Sequence, residues 1–166
     1  MKKSVQERLE IVDQVIGSRL LMTKPLKADS LRNRVFGDSC TGYSFQIDNL
    51  SYRGIWVSTI EAIELKVDGE AVAQEDMLFC IRDLKIPLVA LGGHSEIFWG
   101  SRDEARISVN RVGGLKPGAH HFEILIKKRA DFGHSYGEGE QGYEDATEFH
   151  TPLEIRDQTT YVIKEA

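Results

Sequence analysis

Five histidines are the residues of this chain best suited to metal binding or acid–base catalysis: His94, His120, His121, His134 and His150. Neutral imidazole binds divalent metals, and the ring changes its charge near neutral pH. A metal site could combine His120 with His94 or His150 on neighbouring strands. His120 and His121 cannot both serve it, because successive residues of a strand point to opposite faces. We therefore expect surface or structural roles for the histidines, and no metal site in this chain.

Carboxylates form a second cluster, in the glycine-rich segment 131–145: Glu138, Glu140, Glu144 and Asp145. Glycosidases use two such groups, one as an acid and one as a base or nucleophile. A glycine-rich loop does not fix two carboxylates without support from rigid elements, so we interpret this segment as a solvated loop. The sequence also lacks a P-loop, a Rossmann glycine motif, HExxH and GxSxG. We expect no catalytic residue in this chain.

The segment Ser51-Tyr52-Arg53-Gly54-Ile55-Trp56 places two aromatic residues, an arginine and a glycine within six positions. Tyr, Trp and Arg are the residue types that dominate binding hot spots. The segment therefore has two interpretations, an interface with a partner or ordinary packing with Trp56 in the core, and composition does not decide between them. A further candidate is the 131–145 loop, whose Phe132, His134, Tyr136 and Tyr143 suit contact with a ligand or partner. The alternative there is a loop without a role.

The elements that position these residues begin with a predicted helix over residues 4–22, where apolar side chains recur at spacings of three and four. Ser4 caps it, and Pro25 ends it because proline disfavours helical geometry in the residue before it. We expect a helical arm over residues 1–25 and one β-sandwich domain over residues 26–166. The helix either covers a face of the sandwich or clasps a partner.

Short alternating segments follow the helix, which is typical of half-buried strands. Strands are predicted at 33–36, 43–47, 63–67, 77–81, 86–91, 96–99, 105–109, 122–127, 147–155 and 160–163. Asp68-Gly69 predicts a type I′ hairpin turn, and Pro117-Gly118 predicts a type II turn. The pattern indicates an all-β, antiparallel sandwich of the immunoglobulin-like or jelly-roll-like kind.

Charge and hydropathy narrow the function classes. The net charge is −5 and no Lys/Arg-rich run occurs, which argues against nucleic acid and anionic membranes as partners. No stretch approaches the roughly 20 apolar residues of a membrane span, and charged residues interrupt the N-terminus where a signal peptide needs an apolar region. Cys40 and Cys80 lack the spacing of a zinc or redox site. We expect a cytoplasmic protein.

Several segments in order resemble the β subunit of bacterial C-glycoside deglycosidases. They are the strand Ser30 to Phe36, Tyr52-Arg53-Gly54, the hairpin Val67-Asp68-Gly69-Glu70 with Glu75-Asp76 after it, and the turn Gly113-Gly114-Leu115-x-Pro117-Gly118. The resemblance covers roughly residues 29–132. The helix of residues 4–22 and the 131–145 loop lie outside it.

The resemblance implies a non-catalytic β-sandwich subunit in complex with a larger TIM-barrel α subunit, which carries a divalent metal, expected to be manganese. Such complexes cleave the carbon–carbon bond between sugar and aglycone in 3-oxo-C-glycosides of the flavonoid type. No cofactor is expected in this chain. With this resemblance we place the partner interface at Tyr52, Arg53, Gly54 and Trp56, and a substrate-entrance loop at Phe132, His134 and Tyr136. The alternatives are a free-standing carbohydrate- or phenolic-binding module and a self-contained metalloenzyme that uses the histidines.

Overall fold

Antiparallel β-strands make up most of the computed structural model, which describes residues 24–51, 53–129 and 153–164. In chain order the described strands are β1 (Arg32–Phe36), β2 (Ser39–Ile47), β3 (Ile55–Trp56), β4 (Ile60–Val67), β5 (Glu70–Ala71), β6 (Met77–Ile81), β7 (Leu84–Pro87), β8 (Phe98–Trp99), β9 (Ala105–Asn110), β10 (Gly118–Lys128) and β11 (Leu153–Ile163). Three short 3-10 helices lie between them: η1 (Val57–Thr59), η2 (Gln74–Asp76) and η3 (Leu88–Gly93). The predicted all-β fold class is confirmed.

The strands form two main sheets and one two-stranded ribbon. The five-stranded sheet has the order β1-β2-β9-β6-β7, and the four-stranded sheet has the order β11-β10-β4-β5. Every pairing is antiparallel. β3 pairs only with β8, where Ile55 lies opposite Trp99 and Trp56 lies opposite Phe98.

Aromatic rings join the inner faces of the two sheets. Tyr43 and Phe45 of β2 meet Phe122 of β10 with ring centroids 5.9 and 5.3 Å apart, both edge to face. Phe122 meets Tyr161 of β11 at 5.0 Å in the same geometry. Edge-to-face pairs add to the hydrophobic gain because a positive ring edge faces a negative ring face. This cluster fixes the two sheets as one sandwich.

The predicted hairpin at Asp68-Gly69 is confirmed by its backbone. Both residues have positive φ, +52° and +82°, as a type I′ turn requires. Gly118 also has positive φ, in agreement with a turn that places glycine after Pro117. Cys40 and Cys80 are free thiols on β2 and β6.

Three strand predictions need correction. Residues 88–91 belong to the 3-10 helix η3, where Leu88 and Leu91 are buried at a spacing of three, so the predicted strand 86–91 is wrong beyond Pro87. The strand at 96–99 is reduced to Phe98–Trp99. Residues 153–163 form one continuous strand where two were predicted.

The predicted helix over 4–22 lies outside the described residues, as do residues 147–152. Within the part of the chain that the structure describes, no helix is long and apolar enough to cross a membrane.

Candidate partner interface

The ribbon of β3 and β8 has one buried and one exposed face, because neighbouring strand residues point in opposite directions. Ile55 and Trp99 face inward and are only 1% and 0% exposed. Trp99 packs against Phe79 with centroids 5.4 Å apart, and its indole Nε1 donates to the Asp103 carbonyl at 2.9 Å. The inward face therefore anchors the ribbon to the core.

The outward face carries Trp56 and Phe98, which are 43% and 37% exposed. Their ring centroids lie 5.0 Å apart at an interplanar angle of 63°. The alternative in which Trp56 packs in the core is therefore wrong: Trp56 lies at the surface, and the buried tryptophan is Trp99, outside the 51–56 segment. Two adjoining aromatic rings on a surface form the kind of anchor that dominates binding energy at interfaces.

Gly54 allows this arrangement. Its φ is +82°, a conformation that glycine adopts without steric cost. A Cβ at this position would lie 2.7 Å from Phe98 Cζ and 2.7 Å from the Trp99 carbonyl oxygen. The Phe98 ring thus packs directly on the Gly54 backbone, and the position has no room for a side chain.

The loop that leads into β3 is held by side-chain hydrogen bonds. The Asn49 amide donates to the carbonyls of Trp99 at 2.9 Å and Gly100 at 3.0 Å. The Ser51 backbone N–H donates to Asn49 Oδ1, and the N–H of Arg53 donates to Ser51 Oγ at 3.3 Å. Arg53 is exposed beside the ribbon. Tyr52, which is also a predicted interface residue, lies outside the described residues.

A polar rim borders the aromatic pair. Arg82 Nη1 lies 2.9 Å from Asp103 Oδ2 and also donates to the Phe98 carbonyl at 3.1 Å. Asp103 Oδ2 accepts the Gly100 N–H as well. An exposed ion pair of this kind adds little to stability, but an apolar centre with a polar rim is typical of protein interfaces.

An open cleft of about 360 Å³ adjoins this region, between η1, the start of β4 and η3. Ser58, two residues after Trp56, lines it together with Val89 and Gly92. Arg129 crosses its edge, donating to the Ser58 carbonyl at 2.7 Å and lying 3.7 Å from Glu61 Oε1. These groups suit binding of a polar molecule or loop.

The described histidines do not form one site: His120 and His121 are successive strand residues that point to opposite faces, and His94 lies on a different loop. His120 hydrogen-bonds the Asp68 carboxylate at 2.7 Å and the Lys116 carbonyl at 2.6 Å, so both of its ring nitrogens are occupied. His94 lies on the loop between η3 and β8, where it hydrogen-bonds Glu96 at 2.8 Å and thereby lowers the pKa of that carboxyl. Among the described residues no three His, Cys, Asp or Glu side chains come together as metal ligands. His134 and His150 lie outside this part.

Phe98 is the candidate interface residue that sequence reasoning missed. It sits in a predicted strand, but its pairing with Trp56 joins residues 42 positions apart, which no local pattern reveals. Phe132, His134 and Tyr136 lie outside the described residues, so the predicted entrance loop stays a prediction.

Comparison with known proteins adds two findings. The family model described as C-glycoside deglycosidase beta subunit matches residues 21–132, which include both strands of the ribbon. A curated protein of Eubacterium cellulosolvens (strain ATCC 43171 / JCM 9499 / 6), named C-glycoside deglycosidase beta subunit, is 28% identical over 83 residues. Those residues are 50% of this chain and 56% of that protein, so the chain spans about half the length of the curated relative it matches.

Proposed function

Because this chain belongs to the C-glycoside deglycosidase beta subunit family, we propose that it is the non-catalytic subunit of a heteromeric enzyme that cleaves the carbon–carbon glycosidic bond of 3-oxo-C-glycosides. Its partner is a TIM-barrel α subunit. The observation that carries the proposal is the exposed Trp56–Phe98 pair, held in place by Gly54 inside the segment that the family shares.

The chemistry of the substrate explains why a supporting subunit is useful. A C-glycoside has no bridging oxygen that an acid could protonate, so the route of ordinary glycosidases fails. A carbonyl at sugar C3 makes the C2 proton acidic. A base in the partner then removes this proton. The C1–aglycone bond breaks by β-elimination, which forms a C1=C2 double bond in the sugar while the departing aglycone carbon takes up a proton from an acid. A divalent metal in the partner would stabilise the negative charge on the C3 oxygen. The whole scheme needs a shaped and water-poor pocket.

This chain's contribution is a binding surface. The aromatic ribbon docks on the α subunit, and Arg53 with the Arg82–Asp103 pair forms the polar rim of that contact. The segment 130–152 begins after Arg129, whose N–H donates to the Thr59 carbonyl, three residues after Trp56. This proximity supports a role for Phe132, His134 and Tyr136 at the substrate entrance.

Co-expression with the α subunit tests the docking surface. We expect Trp56→Ala, Phe98→Ala or Arg53→Ala to weaken the complex by on the order of 2 kcal/mol, about thirtyfold in Kd. Phe36→Ala is the matched control, because Phe36 is 85% exposed on the edge strand β1, whereas the ribbon packs on Phe79 of β6, which β2 and β9 separate from β1. Kd is measured by calorimetry, with thermal unfolding as a check on folding. An unchanged Kd for both Trp56→Ala and Phe98→Ala would refute the assignment.

The second candidate function is a free-standing carbohydrate- or phenolic-binding module, favoured by the open cleft beside the aromatic pair. Calorimetric titration of the isolated chain with a C-glucoside distinguishes the binding-module function from the subunit function. Binding by the isolated chain that is lost in Arg129→Ala supports the module, whereas binding only by the α-containing complex supports the subunit.

A further inference from the structure

The outer face of the five-stranded sheet carries positive charge alone. Its five strands contain no Asp or Glu at any position, although the whole chain has 26 acidic residues and 21 basic ones. Four cations lie on it: Arg32, Arg34, Lys85 and Arg106, which we call the basic face. Strand register places these four side chains on the outer face. The residues that alternate with them or pair beside them, such as Tyr43, Phe79 and Ile107, are buried in the core.

The opposite sheet shows that this bias is not general. On its outer face Glu64, Glu123 and Glu154 alternate with Lys66, Lys127 and Arg156. Positive and negative charges therefore balance on the four-stranded sheet. Since the chain as a whole has a net negative charge, an all-positive face departs from its general composition.

Neutral groups order two of the arginines, Arg34 and Arg106. Arg34 Nη2 donates to Asn110 Oδ1 at 2.7 Å and to the Val109 carbonyl at 3.3 Å. Arg106 donates to Ser44 Oγ at 3.2 Å and to the Ser30 carbonyl at 2.7 Å. Within residues 24–51, 53–129 and 153–164, none of the four cations lies in an ion pair. Neutral groups thus hold the charges of Arg34 and Arg106 in position.

The four cations share one electrostatic neighbourhood. Burial lowers the pKa of Arg106 and the charge of Arg32 lowers it further, whereas the charge of Glu104, the residue before β9, raises it. Burial raises the pKa of the Cys80 thiol, while the charges of Lys85, Arg34 and Arg106 act in the opposite direction. Repulsion among such groups is relieved when an anion binds between them.

We propose that the basic face docks a carboxylate-rich surface of a partner protein. Ordered guanidinium groups match the planar geometry of carboxylates. Besides the cations, the outward positions of these strands hold neutral polar side chains such as Ser44, Gln46 and Asn110, and one exposed aromatic ring, Phe36 at the end of β1. A single ring at the edge of the sheet is not a platform on which successive nucleic-acid bases could stack. The basic face is separate from the aromatic ribbon, so this proposal does not depend on which protein binds the ribbon.

Fluorescence anisotropy of the full chain with a fluorescein-labelled poly-L-glutamate peptide at low salt tests the proposal. We expect Arg32→Gln combined with Lys85→Gln to weaken binding about tenfold, because two of the four charges are lost. The fold should survive, because neither side chain makes a hydrogen bond or ion pair with the described residues. Lys66→Gln combined with Lys127→Gln removes the same charge from the opposite sheet, and this control should bind as the natural chain does. Added salt should weaken the natural complex.

Three results would overturn the proposal. The first is no binding of poly-L-glutamate by the natural chain. The second is an equal loss in the two double variants, since net charge alone would then govern binding. The third is tighter binding of a single-stranded DNA oligonucleotide that depends on Arg32 and Lys85, which would assign the face to nucleic acid.

Discussion

At the scale of single residues, two buried tyrosines differ in one hydrogen bond. The Tyr43 side chain is fully buried, its hydroxyl has no partner among the described residues, and burial raises its pKa to about 12. The Tyr161 hydroxyl donates to the Lys27 carbonyl at 2.9 Å. An unpaired buried hydroxyl costs free energy, whereas a paired one is favourable or neutral.

We predict that Tyr43→Phe raises the free energy of unfolding by about 1 kcal/mol and that Tyr161→Phe lowers it by about 1 kcal/mol. Urea unfolding followed by fluorescence measures both. Since each variant removes the same atom, a similar loss of stability in the two would show that the Tyr43 hydroxyl has a partner.

His120 ties the Asp68-Gly69 turn to β10. A ring that donates to the Asp68 carboxylate through one nitrogen and to the Lys116 carbonyl through the other must be protonated. Burial opposes the charge of this ring, but the two hydrogen bonds outweigh it, so the pKa of His120 is raised above 6.5. The hydrogen bond from His120 lowers the pKa of Asp68.

The pH dependence of stability follows from these directions. The contribution of His120 is fully present below its unfolded pKa of about 6.5 and is lost as pH rises through the raised folded value. The contribution of Asp68 is present above its unfolded pKa of 3.8 and is lost as pH falls through the lowered one. We expect the decline of stability above neutral pH to flatten in His120→Gln but to persist in the control His121→Gln. Identical urea-unfolding profiles in both variants and the natural chain would contradict this.

At the scale of elements, the aromatic ribbon depends on Gly54, and Gly69 provides a control with the same φ of +82°. A Cβ at Gly69 would meet nothing within 4 Å, whereas one at Gly54 would strike Phe98 and the Trp99 carbonyl. Gly69→Ala should therefore cost only backbone strain, about 1 kcal/mol. Gly54→Ala should cost that strain plus the displacement of Phe98, about 2–3 kcal/mol in all.

Only Gly54→Ala should also weaken binding of the α subunit, which calorimetry on both variants would measure. If the two substitutions cost the same stability and both leave Kd unchanged, Gly54 does not shape the ribbon.

Sequence predicted those elements whose signal is local. Alternation predicted β4, β9 and β10, and Asp68-Gly69 predicted its turn. The polar triplet Arg156-Asp157-Gln158 falls between the two predicted final strands, but it lies inside β11, where it pairs with β10, and Asp157 Oδ2 accepts the Leu26 N–H at 3.0 Å. That partner is 131 positions away, so local patterning could not show it. The strand predicted for the apolar run after Pro87 was wrong for another reason. By composition, Leu88 and Leu91 fit a strand and a 3-10 helix equally well.

At the scale of the whole molecule, the two proposed binding surfaces lie on different sheets. The strand order places β9 between β2 and β6, which brings Arg106 beside Ser44 and builds the basic face. The aromatic ribbon is a separate two-stranded sheet anchored by Trp99. Composition could identify Trp and Arg as binding residues, but not which tryptophan is exposed or which arginines share a face, because both depend on pairing between distant segments.

Turnover of a 3-oxo-C-glycoside by the isolated chain, by the α subunit alone and by the two mixed tests the central claim most directly. We predict no turnover above background from the isolated chain and full activity only from the mixture. When this chain is titrated into the α subunit, activity should rise until all of the α subunit is in the complex. Turnover by the isolated chain at the rate of the mixture, or full activity of the α subunit without it, would contradict the account.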